Sequence, residues 1–133
     1  MWRKDGYGEA YMYVDREAQA SDFCQDSSTC RYNGKYGISL SRGSFAFAAG
    51  RWTSVRQLIK LNSFNDQGIY QTDGEFRLYI DGEEKINLEN FVYRTHDFEA
   101  VGLDFATFFG GSKPHYRTKK DEFTFFKDVA ISY

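Results

Sequence analysis

The stretch Glu75-Phe-Arg-Leu-Tyr-Ile-Asp-Gly82 decides the fold class of this 133-residue chain. Its first six residues alternate between polar and apolar, which is typical of a strand with one face in a core and the other in solvent. Asp81-Gly82 is a strong signal for a two-residue hairpin turn of type I′. Lys85–Leu88 then returns as the partner strand. The stretch therefore predicts an antiparallel hairpin with three inward residues, Phe76, Leu78 and Ile80.

Short aromatic segments separated by Gly and Asp turns recur along the chain, and aromatic residues make up 19% of it. Further strands are predicted at Tyr36–Leu40, Ser44–Ala48, Trp52–Leu61, Val101–Phe109 and Phe123–Tyr133. About nine short strands at this spacing are typical of an all-β, antiparallel two-sheet sandwich. We expect residues 1–133 to form a single domain. Its core is expected to hold, besides the hairpin residues, Trp2, Phe45, Phe47 and Leu103.

The segment Met1–Val14 is predicted to form two strands around an Asp5-Gly6 turn. The second strand alternates, with apolar residues at positions 10, 12 and 14 pointing one way and Glu9, Tyr11 and Tyr13 pointing the other way. The apolar set belongs in the core, so both tyrosines lie on the exposed face, where Arg3 can join them. Two phenols and a guanidinium on an open face suit the binding or cleavage of acidic sugar polymers. A solvent-facing aromatic ladder is the alternative.

Cys24 and Cys30 lie six residues apart in a polar loop, a spacing that suits a disulfide. Two free thiols or a metal site are the alternatives. A metal site needs two further ligands, and the two histidines, His96 and His115, are far away in sequence. We expect the disulfide, no metal and no cofactor. A disulfide indicates an oxidising compartment, hence secretion, although Met1-Trp-Arg-Lys does not resemble a signal peptide.

Bulk composition argues against two classes of partner. The chain has 17 basic and 19 acidic residues and a net charge of −2, whereas nucleic-acid-binding domains are usually clearly basic. No apolar run approaches the roughly 18 residues of a membrane span. We expect a monomer without nucleic-acid or membrane partners.

Three further residues are candidates for substrate binding. Arg42, in Ser41-Arg-Gly43, is either a turn residue or a substrate contact. Gln57, among apolar neighbours, is either a buried amide or a substrate contact. Lys119 belongs to the basic loop Gly110–Asp121, which either is solvated or grips a polyanion. No Ser-His-Asp, phosphate-loop or metal motif is visible.

Several stretches occur together in one order along almost the whole chain. They are Arg3–Gly6 with Gly8–Tyr13, Tyr36–Phe45, Gly50–Gln57, Lys60–Asn62, Thr107–Ser112 and the ending Lys120–Asp128. Together they resemble polysaccharide lyase family 14, the alginate-lyase-like group. The resemblance implies a concanavalin-like β-jelly roll and an eliminative lyase that acts on uronic-acid polymers such as alginate or glucuronan.

The resemblance also implies roles for individual residues. Tyr11 and Tyr13 match the family's catalytic Tyr-x-Tyr pair. The family's Ser-x-Arg pair and its essential Lys would fall before Met1, so we expect the chain to lack the N-terminal part of the domain and part of the site. Arg3 alternates onto the same side as the position of the family's arginine, which makes it a candidate for the cleft.

Uronate elimination requires a cation at the C6 carboxylate, a base for the C5 proton and an acid for the leaving 4-oxygen. The leading hypothesis is a lyase with Tyr11 and Tyr13 in proton transfer. Its substrate-binding residues are expected to be Arg3, Arg42, Gln57 and Lys119. The alternatives are a non-catalytic, lectin-type carbohydrate-binding sandwich and an inactive lyase-like pseudoenzyme. An acidic polysaccharide is the expected partner.

Overall fold

A computed structural model describes residues 3–34, 37–100, 102–107 and 113–132. The chain divides into two compact units, Met1–Glu99 and Ala100–Tyr133. The first unit holds six strands in two antiparallel sheets, and no α-helix occurs among the described residues. The described residues also contain no helix with the length and apolar character of a membrane span.

The first sheet consists of β1 (Ala10–Tyr13), β2 (Cys30–Asn33) and β3 (Gly37–Leu40), in the order β1-β3-β2. Tyr11 of β1 and Arg31 of β2 both pair with Ser39 of the central strand. Directly paired residues of antiparallel strands share one face, so these three side chains lie on the same side. The sequence did not predict β2, although Cys30 and Tyr32 alternate with polar neighbours.

The second sheet consists of β4 (Val55–Lys60), β5 (Gly74–Ile80) and β6 (Glu83–Phe91), in the order β4-β5-β6. Ile80 pairs with Glu83, so the loop between β5 and β6 has two residues. Asp81 and Gly82 have φ values of 52° and 83°, as a type I′ turn requires at both central positions. The predicted hairpin is therefore confirmed.

The two sheets of the first unit share one hydrophobic core. Its buried cluster combines residues from the first sheet with residues from the second, among them Ala10, Ile38, Leu40, Phe76, Leu78, Ile80, Ile86 and Phe91. Phe45 is also buried, as predicted, while Phe47 is half-buried and packs against the cluster. The predicted strand Ser44–Ala48 is reduced to an isolated bridge between Tyr7 and Ala46. Trp2 lies outside the described residues.

Predictions for the second unit are wrong where it is described. Residues 102–107 and 113–132 form no strand, in contrast to the predicted strands Val101–Phe109 and Phe123–Tyr133. Leu103 is 52% exposed rather than buried. Alternation marks a face that a strand would have, but a strand also needs a partner for its N–H and C=O groups. Sequence periodicity carries no information about that partner.

The predicted disulfide between Cys24 and Cys30 is present, with a Cα–Cα distance of 5.1 Å. It ties the polar loop to the first residue of β2. Asp26 also braces this loop, because its carbonyl oxygen accepts hydrogen bonds from the amides of Thr29 and Cys30. The disulfide and these hydrogen bonds therefore fix the position of the loop at the start of β2.

Replacing both cysteines, Cys24→Ser with Cys30→Ser, is expected to lower the free energy of unfolding by about 2–3 kcal/mol at most, because the closed loop is short. Urea denaturation followed by circular dichroism measures this difference. Reductant should destabilise the unaltered protein by a similar amount and leave the double variant unchanged. Equal stability of the variant and the oxidised protein would contradict the expectation.

Candidate active site

One face of the first sheet points away from the core and carries mainly polar side chains. We call it the polar face. It comprises residues of β1 and its lead-in, of β3 and of β2, namely Glu9, Tyr11, Tyr13, Ser39, Arg31 and Asn33. The opposite face carries the core residues, because successive residues of a strand point to opposite sides.

The two tyrosines lie side by side on the polar face. Their rings make an edge contact with centroids 5.3 Å apart, and Tyr13 is 78% exposed. Tyr11 is half-buried, and its hydroxyl oxygen accepts a hydrogen bond from Asn33 Nδ2 at 2.9 Å. A Cβ atom on Gly37 would come within 2.1 Å of this hydroxyl. The glycine therefore permits the Tyr11 ring to lie across β3.

Glu9 is the buried charge of the polar face, with only 1% of its surface exposed. Its Oε1 atom accepts a hydrogen bond from Arg3 Nη2. Its Oε2 atom accepts one from Ser39 Oγ at 2.8 Å and one from Arg42 Nε at 2.7 Å. Burial alone would raise the pKa of Glu9, but the hydrogen bonds from Arg3, Ser39 and Arg42 outweigh burial and lower it.

Arg3 and Arg42 reach Glu9 from two turns. Arg3 precedes the 3-10 turn Lys4–Gly6, in which Asp5 and Gly6 have φ values of 63° and 79°, so the predicted Asp5-Gly6 turn is confirmed. Arg42 follows β3 in a turn closed by a hydrogen bond from the Ser44 amide to the Ser41 carbonyl. The two side chains are 34% and 43% exposed. Both arginine side chains are therefore partly exposed while they are bonded to Glu9.

Gln57 and Lys119, the other predicted substrate-binding residues, are not among the residues of the polar face. Gln57 is exposed on β4, where it pairs with Leu78, so the buried-amide interpretation is wrong. It lines a largely apolar cleft of about 460 Å³ in the first unit, whose walls also include Tyr11, Tyr13 and Ile59. The structure therefore brings Gln57 and the tyrosine pair together in one cleft. Lys119 belongs to the second unit and is exposed there.

Sequence reasoning missed the role of Glu9. Alternation placed it on the same face as the tyrosines, and this placement agrees with the structure. Its burial depends on Ser39 and Arg42, which are 30 and 33 residues away in the chain. The available signal was a glutamate near Arg3 on a face that otherwise carries phenols.

Replacing Glu9 by Gln keeps the side-chain shape but leaves two guanidinium groups without their carboxylate. We expect Glu9→Gln to lower the free energy of unfolding by about 2–4 kcal/mol, toward the lower end of the loss for a broken buried ion pair because both arginines are partly exposed. Urea denaturation at neutral pH measures the loss. Glu84→Gln, at an exposed position of β6, is the matched control.

Low pH should weaken the ion pairs that Glu9 forms with Arg3 and Arg42. Because the folded state lowers the pKa of Glu9 from its ordinary value of 4.5, its stabilising contribution is present above that value. The contribution is lost as the pH falls through the lowered pKa of the folded state. The unaltered protein should therefore lose more stability than Glu9→Gln does as the pH falls below about 5. Parallel pH profiles of the two proteins would contradict the assignment of the buried charge.

Comparisons with known proteins agree with this architecture. A sequence model of the family Polysaccharide lyase 14 matches residues 1–129, and a search of curated proteins found no significant match. The structure is similar to the crystal structure of the marine PL-14 alginate lyase from Aplysia kurodai, with 30% sequence identity and a TM-score of 0.54. This similarity covers 71% of this chain and 35% of that chain, so the chain spans about a third of the length of that protein.

The comparisons and the sheet topology support the same fold. Two antiparallel sheets that share a core confirm the predicted sandwich, and the similarity to the PL-14 enzyme identifies it as a β-jelly roll. The family match extends over nearly the whole chain. This protein belongs to polysaccharide lyase family 14.

Proposed function

We propose that this chain is part of a polysaccharide lyase that cleaves uronic-acid polymers by β-elimination. The observation that carries the proposal is the polar face, on which the half-buried Tyr11 and the exposed Tyr13 lie on the same sheet surface as two arginines bonded to Glu9. Membership of polysaccharide lyase family 14 supports the reaction class. The similar solved structure is an alginate lyase, so alginate is the first candidate substrate and glucuronan the second.

Arg3 is proposed to neutralise the C6 carboxylate of the uronate unit that reacts at the tyrosines. A guanidinium group is planar and can donate to both oxygens of a carboxylate. Neutralising that carboxylate makes the C5 proton easier to remove, because the negative charge that develops in the transition state is stabilised. Glu9 holds the Arg3 guanidinium group in place through its Oε1 atom.

The Tyr13 hydroxyl is proposed to take part in the proton transfer of the elimination. In the reaction, the C5 proton passes to a base, a double bond forms between C4 and C5, the C4–oxygen bond breaks, and the leaving oxygen takes up a proton. The Tyr13 hydroxyl is accessible to a polymer, as its 78% exposure shows. Tyr11, held by Asn33, supports the Tyr13 ring through their edge contact.

A carbohydrate-binding role with little or no catalysis is the second candidate, and one observation favours it. Glu9 already bonds the guanidinium groups of Arg3 and Arg42. A cation that is paired with a carboxylate stabilises a further negative charge less well. Weak elimination with retained binding would follow. The Cys24–Cys30 disulfide supports secretion under either candidate, since disulfides persist in oxidising compartments.

Tyr13→Phe tests the lyase proposal, because it keeps the ring contact with Tyr11 and removes only the hydroxyl. We expect the elimination rate to fall at least a hundredfold, as for loss of a general acid or base, while polymer binding stays within about threefold. The rise in ultraviolet absorbance of unsaturated uronate measures elimination on polymannuronate, polyguluronate and glucuronan. Tyr79→Phe, on the outer face of β5, is the control.

The outcomes separate the two candidates. An unchanged rate in Tyr13→Phe would exclude Tyr13 as the proton-transfer group. Binding by the unaltered chain without any ultraviolet product would favour the carbohydrate-binding module. If the chain forms no product from the three polymers and binds none of them, both candidates are overturned.

A further inference from the structure

A small pocket opens beside Arg42 in the first unit. Its volume is about 90 Å³, and its walls are Ser28, Thr29, Cys30, Arg31, Ser39 and Arg42. One water molecule occupies about 30 Å³ in the liquid, so the pocket has room for a carboxylate group and a bridging water. Two of the six lining residues carry a guanidinium group and none carries a carboxylate, so the walls favour an anion.

Both guanidinium groups of the pocket are anchored through their Nε atoms. Arg31 Nε donates to the Ser27 carbonyl oxygen at 2.8 Å, and Arg42 Nε donates to Glu9 Oε2 at 2.7 Å. Neither group has a further hydrogen-bond partner among the described residues. Because the guanidinium group is planar, an anchored Nε fixes the direction of the two terminal nitrogens. Each arginine therefore presents a fork that matches the two oxygens of a carboxylate.

The loop that forms the other wall is held rigidly. The Asp26 carboxylate accepts hydrogen bonds from the amide and hydroxyl of Ser28, at 2.9 and 2.7 Å, and the disulfide closes the loop at Cys30. The bonds from Ser28 lower the pKa of Asp26, so this residue is an anion close to the pocket. Its charge is directed at Ser28, and it is not one of the lining residues. The arginines remain the donors for a ligand.

The pocket lies on the same face as the tyrosines. Arg31 and Tyr11 pair with opposite sides of Ser39, so they are two strand spacings apart. Neighbouring strands are about 4.8 Å apart, which places the two backbones about 10 Å apart. This span exceeds the length of one pyranose unit, so a two-unit oligomer with one unit at the tyrosines does not reach the pocket.

We propose that the Arg31–Arg42 pocket binds the carboxylate of a second uronate residue in the polymer whose reacting unit lies at Tyr11 and Tyr13. The inference rests on the proposed function and adds a subsite to it. Arg31, which the sequence did not single out, becomes a substrate-binding residue. The Cys24–Cys30 loop becomes the wall of that subsite.

Arg31→Gln tests the subsite by comparing ligands of different length. The probes are saturated two-unit and four-unit oligomers of mannuronate, guluronate and glucuronate, a four-unit oligomer with reduced carboxyl groups, and inorganic sulfate. We expect Arg31→Gln to weaken four-unit binding about tenfold or more, as for loss of a hydrogen bond between charged groups, and to change two-unit binding less than about threefold. Isothermal titration calorimetry measures both affinities.

Arg56→Gln is the matched control, because Arg56 lies on β4 and stacks on Tyr79 of the second sheet. It should leave all affinities unchanged. Arg31→Lys keeps the charge but not the fork, and it should give an intermediate loss. This variant also carries the test if Arg31→Gln fails to fold. In amide NMR spectra, the four-unit oligomer should shift Thr29 and Ser39, and the two-unit oligomer should not.

Each of the following outcomes would contradict a specific part of the proposal. Equal four-unit affinities of Arg31→Gln and the unaltered protein would overturn the subsite, while elimination that depends on Tyr13 would still support the proposed function. An equal loss for the two-unit oligomer would mean that the pocket is not a second subsite. Sulfate or the carboxyl-reduced oligomer binding as well as the four-unit uronate would exclude a uronate-specific pocket. No binding of any uronate would overturn both proposals.

Discussion

The polar face depends on one buried carboxylate. Glu9 has almost no exposed surface, and burial of an unpaired charge would cost several kcal/mol. Its bonds to Arg3, Ser39 and Arg42 offset that cost and join three separate parts of the chain. The N-terminal turn, the central strand of the first sheet and the turn after that strand are thus held in one arrangement.

This arrangement places the charged groups next to the phenols. Glu9 lies immediately before β1, and Tyr11 and Tyr13 lie within β1. A single extended segment therefore supplies the buried anion and both aromatic rings. The strand register then puts Tyr11 opposite Ser39, which also bonds Glu9. A change in register by one residue would turn the tyrosines toward the core and remove the face. The hydrophobic packing of the opposite side therefore protects the geometry of the candidate site.

The two sheets differ in what their outer faces carry. On the second sheet, Lys60, Glu75 and Arg77 form exposed or half-buried ion pairs, which contribute little to stability. On the first sheet the equivalent side is organised around a buried ion pair and aromatic rings. The contrast supports a functional interpretation of the first sheet and a solvated surface on the second.

Local signals account for what could be predicted from the sequence. The β5–β6 hairpin follows from alternation and the Asp81-Gly82 turn. The disulfide follows from the spacing of two cysteines, and the exposed side of Tyr11 and Tyr13 follows from apolar alternation within β1. In each case the deciding residues are within about ten positions of one another, so the backbone geometry of a strand or turn determines the outcome.

The sequence by itself determined the β5–β6 hairpin, the inward face of β5 and the family. Tertiary structure alone decided the burial of Glu9, the pairing of β2 with β3 and the pocket between Arg31 and Arg42. It also decided that Leu103 is exposed. These features depend on which distant segments become neighbours, because a charge is buried only where its partners converge and a strand forms only where another strand accepts its hydrogen bonds. Periodicity along the chain does not contain that information.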